Sequence, residues 1–261
     1  MRGDEEGVNV QNVESPDYGN WISLRIIYLP GLIGFTFLIL AYLFPLLIVV
    51  SMIFLLIAVY FVYARYLFSS RGGDLQRRIR GLVIDHLDWN GKGHVLDIGC
   101  GNGALVIMLA KKHHKARVTG IDYWGKNWEY SKNACETNAV IEGVNDRVSF
   151  QKASASSLPF EDQSFDAVVS NLTFHEVRDA KDKRELIREA LRVLKKGGRF
   201  SFQDLFLMKI AYGDVDELLA TIRSWGVSKI EFVETRDSAF IPSPLKLPFM
   251  VGTMGMFVGE K

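Results

Sequence analysis

The distribution of hydrophobic residues divides the 261-residue chain into an apolar N-terminal segment and a longer region of short alternating elements. From Ile26 to Ala64 the sequence contains no charged residue. A helix needs roughly 20 apolar residues to cross a hydrocarbon core about 30 Å thick, and this run is about twice as long. Pro45, near its middle, lacks a backbone donor and favours a break. The pattern therefore predicts a transmembrane helical hairpin with spans at residues 26–44 and 45–64; a single kinked or partly re-entrant span is the alternative.

The residues that flank the apolar segment predict how it lies in the membrane. Trp21 and Tyr28 near its start have the amphipathic rings that are typical of the membrane–water interface. Arginines follow its end, and the positive-inside rule places them in the cytoplasm: Arg65, Arg71, Arg77, Arg78 and Arg80. We therefore expect a mobile polar tail at residues 1–20, a membrane hairpin at residues 21–68, and a domain at residues 69–261 that faces the cytoplasm.

Strand and helix patterns alternate over the rest of the chain. Strands are predicted at residues 94–98, 117–122, 148–152, 165–170, 199–204, 229–234 and 254–259. Helices are predicted at residues 75–87, 104–112, 128–138, 183–194 and 214–225. This alternation predicts an α/β fold, in which a mostly parallel sheet carries helices on both faces. A loop alone joins the last two strands, which favours an antiparallel last strand.

Composition and charge argue against several classes of function. Lys and Arg number 31 and Asp and Glu number 30, so the formal net charge is +1. A chain this neutral lacks the overall positive field that gathers nucleic acid. The two cysteines, Cys100 and Cys135, form no C-x-x-C pair, which argues against a disulfide framework and against a zinc site. We therefore expect no nucleic-acid partner and no metal.

A glycine-rich turn joins the first predicted strand to the following helix, and its sequence is Asp97-Ile98-Gly99-Cys100-Gly101-Asn102-Gly103. Glycines let a backbone approach a ligand closely, and the helix start beyond them offers N–H groups. The next strand ends at Asp122, where a carboxylate can accept both hydroxyls of a ribose. The acid before the glycines would repel a pyrophosphate but suits an ammonium group, and the spacing is not the G-x-G-x-x-G of dinucleotide sites. The pattern indicates an adenosine-containing cofactor; a tight turn that binds nothing is the alternative.

Further motifs follow this turn in a fixed order. They are Ile121-Asp122-Tyr123, LPFEDQSFD at residues 158–166 and LRVLKKGGRF at residues 191–200. With the glycine-rich turn, these segments resemble class I S-adenosylmethionine-dependent methyltransferases, in the group of small-molecule enzymes often called methyltransferase type 11. The resemblance extends from about residue 94 to residue 204, and Lys196 stands where the family usually has proline. It implies a Rossmann-like fold with a seven-stranded sheet and an antiparallel last strand.

The resemblance also implies S-adenosylmethionine as the cofactor. The residues that would contact it are Asp97, Gly99, Cys100, Gly101, Gly103, Asp122, Tyr123, Ser154, Ala155 and Asn171. The glycine-rich turn and Asp97 would hold its methionine end, and Asp122 would bind its ribose. Tyr123 would pack near the adenine, and Asn171 would line the cofactor beside the transferred methyl group. Ser154 takes the place of an acid that in this family often accepts the adenine amine.

Candidate catalytic residues follow the fourth predicted strand of the domain. Methyl transfer needs a nucleophile aligned about 3 Å from the methyl group, often with a base for its proton. His175 and Glu176 lie at the sheet edge toward which the cofactor methyl should point, and the alternative is that they only begin a helix. Trp124 and Trp128 either contact the adenine, shape the acceptor pocket or pack against the next helix.

The sequence therefore predicts a membrane-anchored methyltransferase that acts on a small-molecule acceptor. An anchor keeps the site close to lipid, which favours a lipid-like acceptor. The fourth strand is not followed by an N/D-P-P-Y/F tetrad, which disfavours adenine and glutamine-amide acceptors. Two alternatives remain: a catalytically inactive membrane-tethered cofactor-binding or scaffold protein, and a nicotinamide-dependent oxidoreductase, which the glycine spacing disfavours.

Overall fold

A computed structural model describes residues 15–125 and 130–261 of the chain. These residues form two compact units. One unit is Asn20–Ile79; the other is Arg80–Lys261 together with the residues up to Gly19. The predicted domain limits at residues 20 and 68 stay predictions, and the start of the predicted helix 128–138, with Trp128, lies outside the described residues.

The smaller unit is built on two apolar helices, α1 (Leu24–Leu40) and α2 (Leu47–Phe68). The chain breaks between them at the turn that contains Pro45, as predicted. The helices pack antiparallel, since Gly31 lies beside Ala58 whereas Gly34, further along α1, lies beside Leu55, which comes earlier in α2. The hydroxyl of Ser51 donates to Gly34 O at 2.8 Å.

Helix length corrects the prediction of two full spans. Within residues 15–125 and 130–261, only α2, with 22 residues, is long and apolar enough to cross a membrane by length and composition. Helix α1 has 17 residues and is therefore about 26 Å long, shorter than a hydrocarbon core of about 30 Å. Only 11% of the most apolar 18-residue stretch of α2 is buried, whereas the core helix of a soluble protein is mostly buried.

The larger unit contains a seven-stranded sheet with the order β3-β2-β1-β4-β5-β7-β6. The strands are β1 (Lys92–Ile98), β2 (Lys115–Asp122), β3 (Val148–Lys152), β4 (Phe165–Asn171), β5 (Leu194–Asp204), β6 (Lys229–Val233) and β7 (Gly255–Glu260). Strands β1 to β5 pair in parallel, and β7 runs antiparallel to both of its neighbours. The predicted sheet, with its antiparallel last strand, is confirmed.

Helices cover both faces of this sheet. Successive buried residues of a strand point to opposite faces, so each face needs a layer of helices. Val95 packs with the residues of α4 and α5, whereas Leu96 packs on the opposite face with those of α6 and α8. The helices after α2 are α3 (Leu75–Asp85), α4 (Ala104–Lys112), α5 (Lys132–Ile141), α6 (Arg184–Val193), α7 (Lys209–Tyr212) and α8 (Val215–Ser224). The parallel strands all end at one edge, so the loops after β1, β2, β4 and β5 meet there.

Residues 17–19 correct the prediction of a mobile tail. The backbone N–H of Asp17 donates to Asn138 Oδ1 at 2.8 Å, and the hydroxyl of Tyr18 donates to Glu142 Oε1 at 3.0 Å. Both partners lie in or directly after α5. These residues are therefore part of the larger unit.

Candidate active site

The glycine-rich turn between β1 and α4 has the conformation that its sequence predicts. Gly99 and Gly101 have φ values of +80° and +57°, which side chains rarely adopt. A Cβ on Gly99 would also collide with the side chain of Thr173 in the loop after β4. The N–H groups of Gly99 and Cys100 donate to Ile121 O at 2.8 and 2.9 Å, which ties the turn to the end of β2. The turn is therefore held in place by two neighbouring strand ends.

Asp122, at the end of β2, lies directly against this turn. Its carboxylate accepts from Gly101 N and from Trp124 N, each at 2.9 Å. Burial raises the pKa of Asp122, and these backbone hydrogen bonds oppose that effect. The indole of Trp124, whose φ is +44°, donates to Gly101 O at 2.9 Å. Trp124 thus contacts the glycine-rich turn, and it also packs against the core cluster that includes Cys135 and Ala139 of α5.

Asp97 is a buried carboxylate with no partner among the described residues. It is 1% exposed, and neither of its carboxylate oxygens has a hydrogen bond. Burial, together with the nearby charge of Asp122, raises the pKa of Asp97 to about 8, and Arg80 opposes this shift. A buried acid without hydrogen bonds is costly unless a cation or a donor satisfies it. The ammonium group of S-adenosylmethionine fits this requirement, and the ribose hydroxyls fit Asp122.

The residues predicted for the adenine side lie next to Asp122. Tyr123 is 65% exposed, and Ala153 N donates to Asp122 O at 3.0 Å. This brings the following residue, Ser154, to the same edge, where its hydroxyl donates to Asp179 Oδ2 at 2.8 Å. Ala155 is buried beside it. The hydrogen bonds from Ser156 and Ser154 lower the pKa of Asp179, so this position has a carboxylate that sequence reasoning missed.

Asn171 is at the end of β4, where the resemblance places the transferred methyl group. Its Oδ1 accepts from Gln203 Nε2 at 2.8 Å. The next residue, Leu172, has a φ of +54°, and its N–H donates to Gln203 O at 2.7 Å. A non-glycine residue in this conformation costs of order 1–3 kcal/mol, and such strain is often found at functional sites.

His175 and Asp204 form a pair at the same edge. Nδ1 of His175 lies 2.7 Å from Oδ1 of Asp204, which is fully buried at the end of β5. Asp204 also accepts from Phe174 N at 2.7 Å and from Leu205 N at 2.6 Å. On the other side of the ring, Nε2 of His175 lies 3.5 Å from Oε1 of Glu176. His175 therefore lies between two carboxylates.

This arrangement sets the protonation of the pair. Burial lowers the pKa of His175, but the charge and hydrogen bond of Asp204, with a smaller contribution from Glu176, outweigh it and raise the pKa to about 10. Burial raises the pKa of Asp204, and His175 with the backbone donors reverses this, so the net shift is downward. His175 is therefore an imidazolium at neutral pH. The sequence did not single out Asp204.

Comparisons with known proteins find similarity to methyltransferases. A sequence model of the family described as "Methyltransferase domain" matches residues 96–202. The 27-O-demethylrifamycin SV methyltransferase of Amycolatopsis mediterranei is 39% identical over 114 residues, which cover 44% of this chain and 39% of that protein. The ubiquinone/menaquinone biosynthesis C-methyltransferase UbiE of Bartonella tribocorum is 37% identical over 107 residues, which cover 41% of this chain and 38% of that protein. The chain thus spans less than half the length of these relatives.

Solved structures share the fold. Geranyl diphosphate C-methyltransferase from Streptomyces coelicolor A3(2), with S-adenosyl-L-homocysteine bound, superposes with a TM-score of 0.55 at 17% identity. The superposition covers 73% of this chain and 81% of that chain. A geranyl diphosphate methyltransferase in complex with SAM gives a TM-score of 0.56 at 15% identity, covering 76% of this chain and 89% of that one. Residues 96–202 thus match a family of methyltransferase domains, and the larger unit shares the fold of these solved methyltransferases.

Proposed function

We propose that the protein transfers the methyl group of S-adenosylmethionine to a small, lipid-like acceptor at a membrane surface. The observation that carries this proposal is Asp97, a buried carboxylate without a hydrogen-bond partner beside the glycine-rich turn and Asp122. A catalytically inactive scaffold would have no need to keep such a costly group next to a ribose-binding acid. The cofactor, when bound, supplies an electrophilic methyl group.

Each residue of the candidate site would have a separate role in binding or catalysis. Asp97 binds the ammonium group of the cofactor, and Asp122 binds its ribose. Asp204 holds Nδ1 of His175 and keeps the ring protonated. The imidazolium would donate a hydrogen bond that orients the acceptor oxygen, and the carboxylate of Glu176, 3.5 Å from His175 Nε2, would accept the proton that this oxygen loses as it takes up the methyl group. Glu176 accepts from Nε2 of His175 when no acceptor is bound.

The membrane part of the proposal rests on α2. Its apolar side chains are largely exposed, and it contains no charged residue before Arg65. We infer that α2 anchors the protein in a bilayer and that the methyltransferase domain faces the cytoplasm. The relatives above are named for small-molecule acceptors or pathways, a rifamycin precursor and the quinones. A membrane-bound enzyme of this kind meets its highest acceptor concentration in the lipid phase.

Calorimetric titration of S-adenosylmethionine into the full-length protein in detergent micelles tests the cofactor site. The Asp122→Ala variant should bind far more weakly than the wild type, and the exposed Asp146→Asn variant should bind like it. A folded wild-type protein that shows no saturable binding would contradict the proposed function and favour the scaffold alternative.

A transfer assay tests the acceptor. The enzyme in lipid nanodiscs is given S-adenosylmethionine with a labelled methyl group, and either an organic extract of membranes or a soluble metabolite fraction. We expect label in the lipid extract, and a His175→Ala variant should lose most of it. Label in soluble polar metabolites alone would overturn the lipid-like acceptor and leave the cofactor assignment intact.

A further inference from the structure

Three residues near the N-terminus, Asp17 to Gly19, lie against the cofactor-binding turn; we call them the N-terminal strap. Asn138 on α5 holds the strap through both backbone groups of Asp17. Asp17 N donates to Asn138 Oδ1, and Asn138 Nδ2 donates to Asp17 O, each at 2.8 Å. An amide side chain that pairs with both the N–H and the C=O of one residue fixes the position of that residue.

The same hydrogen-bond network includes the glycine-rich turn. Asn138 Nδ2 also donates to Asn102 O at 3.0 Å, and Asn102 Nδ2 donates to Asp17 O at 3.2 Å. Asn102 lies between Gly101 and Gly103, and its Oδ1 accepts from Ser131 N at 3.0 Å. Asn138 and Asn102 are only 2% and 4% exposed. Loss of one partner would leave buried polar atoms unpaired, so the strap and the turn depend on each other.

Packing gives a second connection. Gly19 has a φ of +69°, and a Cβ there would lie 2.7 Å from Tyr130 Cε1. The other side of the Tyr130 ring faces Gly101, where a Cβ would lie 3.6 Å from Tyr130 Cδ2. The ring therefore lies between the strap and the cofactor-binding turn. Tyr18 fixes the strap to Glu142, which also forms an ion pair with Lys111.

We propose that Asn138 is a positioning residue for the cofactor: it docks the N-terminal strap and, through Asn102, holds the glycine-rich turn in its binding conformation. Binding of S-adenosylmethionine and docking of the strap then favour each other, because a coupling between two equilibria is reciprocal. The inference rests on the cofactor binding in the proposed function. It adds a part of the chain that precedes the methyltransferase motifs.

Affinity measurements on the full-length protein test the role of Asn138. We expect Asn138→Ala to weaken S-adenosylmethionine binding by about tenfold, within the usual range of coupling between sites. Asn133→Ala is the matched control, because Asn133 is an exposed residue of the same helix. Gly19→Val should displace the other end of the strap, because a side chain at this position collides with Tyr130, and it should weaken binding of S-adenosylmethionine similarly. The loss of affinity in the double variant should be smaller than the product of the two single-variant fold-changes, since both substitutions act through one strap.

Hydrogen exchange separates positioning from a general loss of stability. The Asp17 N–H, which Asn138 protects, should exchange more slowly when saturating S-adenosylhomocysteine is added to the wild type. The Asn138→Ala variant should exchange fast with or without this ligand. The inference would be overturned if Asn138→Ala and Gly19→Val both bound the cofactor with unchanged affinity. It would also be overturned if the wild type bound the ligand but the exchange rate of the Asp17 N–H did not change. A wild type that binds no cofactor would instead contradict the proposed function.

Discussion

The proposed contact between Asp97 and the ammonium group of the cofactor would couple the protonation of the site to the charge of the ligand. A carboxylate with a pKa raised to about 8 is largely neutral at pH 6, whereas a bound ammonium group requires it to be ionised. Binding must therefore release a proton at pH values below 8. At pH 6 to 7 the ammonium group of the cofactor is charged, because an α-amino group has an ordinary pKa of about 8, so the released proton comes from Asp97.

This predicts that S-adenosylmethionine binds more tightly as the pH rises from 6 to 7.5. The dissociation constant should fall by up to about tenfold per pH unit, the limit for one coupled proton. Titration in buffers of different ionisation enthalpy should detect the released proton. Asp97→Asn should bind weakly at every pH and show a nearly flat profile. A wild-type profile as flat as that of the variant would show that Asp97 is already ionised without the ligand.

Asp204 is expected to act on the reaction through His175. Asp204→Asn removes the charge that keeps the pKa of His175 near 10, so this pKa should fall toward its ordinary value of about 6.5. We expect kcat to drop about 100-fold at pH 7.5, and the alkaline limb of the pH–rate profile to move to lower pH. Asp146→Asn, at an exposed carboxylate, is the control. If kcat falls while the limb stays in place, Asp204 only supports the local structure.

At the scale of elements, close packing of α1 on α2 depends on a glycine. A Cβ on Gly34 would lie 3.1 Å from Leu55 N and 2.9 Å from its side chain, whereas a Cβ on Gly31 would have only Ala58 Cβ, at 3.9 Å. Gly34→Ala should therefore separate the helices and destabilise the protein by about 1–3 kcal/mol, the usual cost of overpacking. Gly31→Ala should be neutral or stabilising, because alanine favours a helix over glycine. Thermal unfolding in detergent compares them, and equal melting temperatures would disprove this packing.

The sequence predicted most elements of the sheet because each strand buries a regular set of residues. Helix α5 is less well predicted: its described part begins at Lys132, where the Ser131 hydroxyl caps Ala134 N, after the predicted start at residue 128. Helix α7, of four residues, is too short to leave a periodic pattern. Strand β5 begins at Leu194, earlier than predicted: Leu194 pairs with Phe165 and Arg199 with Ala167, so the residues between Leu194 and Arg199 form a bulge that the sequence pattern did not reveal.

The candidate site was only partly predictable for a different reason. The glycine-rich turn, Asp97 and Asp122 follow one another along the chain, so spacing reveals them. His175 and Asp204 are 29 residues apart, and Asp17 and Asn138 are 121 residues apart. Such pairs are formed by the order of the strands and by the return of the N-terminus, which no local pattern encodes. Ser15 and Pro16 before the strap likewise give no sequence signal of a docked segment.

At the scale of the whole molecule, the strap restricts how the proposed membrane anchor can be arranged in a bilayer. Asp17 hydrogen-bonds to Asn138 in the methyltransferase domain, so both lie on the same side of any bilayer. The chain leaves the domain after Gly19 and returns to it at Arg80. If the chain crosses a bilayer between these two points, the number of crossings must therefore be even. If α2 spans the bilayer, α1 has to cross as well, and its length of about 26 Å requires local thinning of the lipid or flanking residues that reach the interface.

Side-specific cysteine labelling tests this topology, because the native Cys100 and Cys135 are buried and should label poorly. We expect Ser15→Cys and Ser70→Cys to react from the cytoplasmic side of sealed vesicles. Tyr42 lies in the turn between the helices and is 92% exposed, so Tyr42→Cys would react only from the opposite side if both helices cross the bilayer. Labelling of all three from the cytoplasmic side would mean that the helices enter the membrane without crossing it. Labelling of Ser15→Cys and Ser70→Cys from opposite sides would mean a single crossing, and the strap then could not reach Asn138 in the membrane-bound protein.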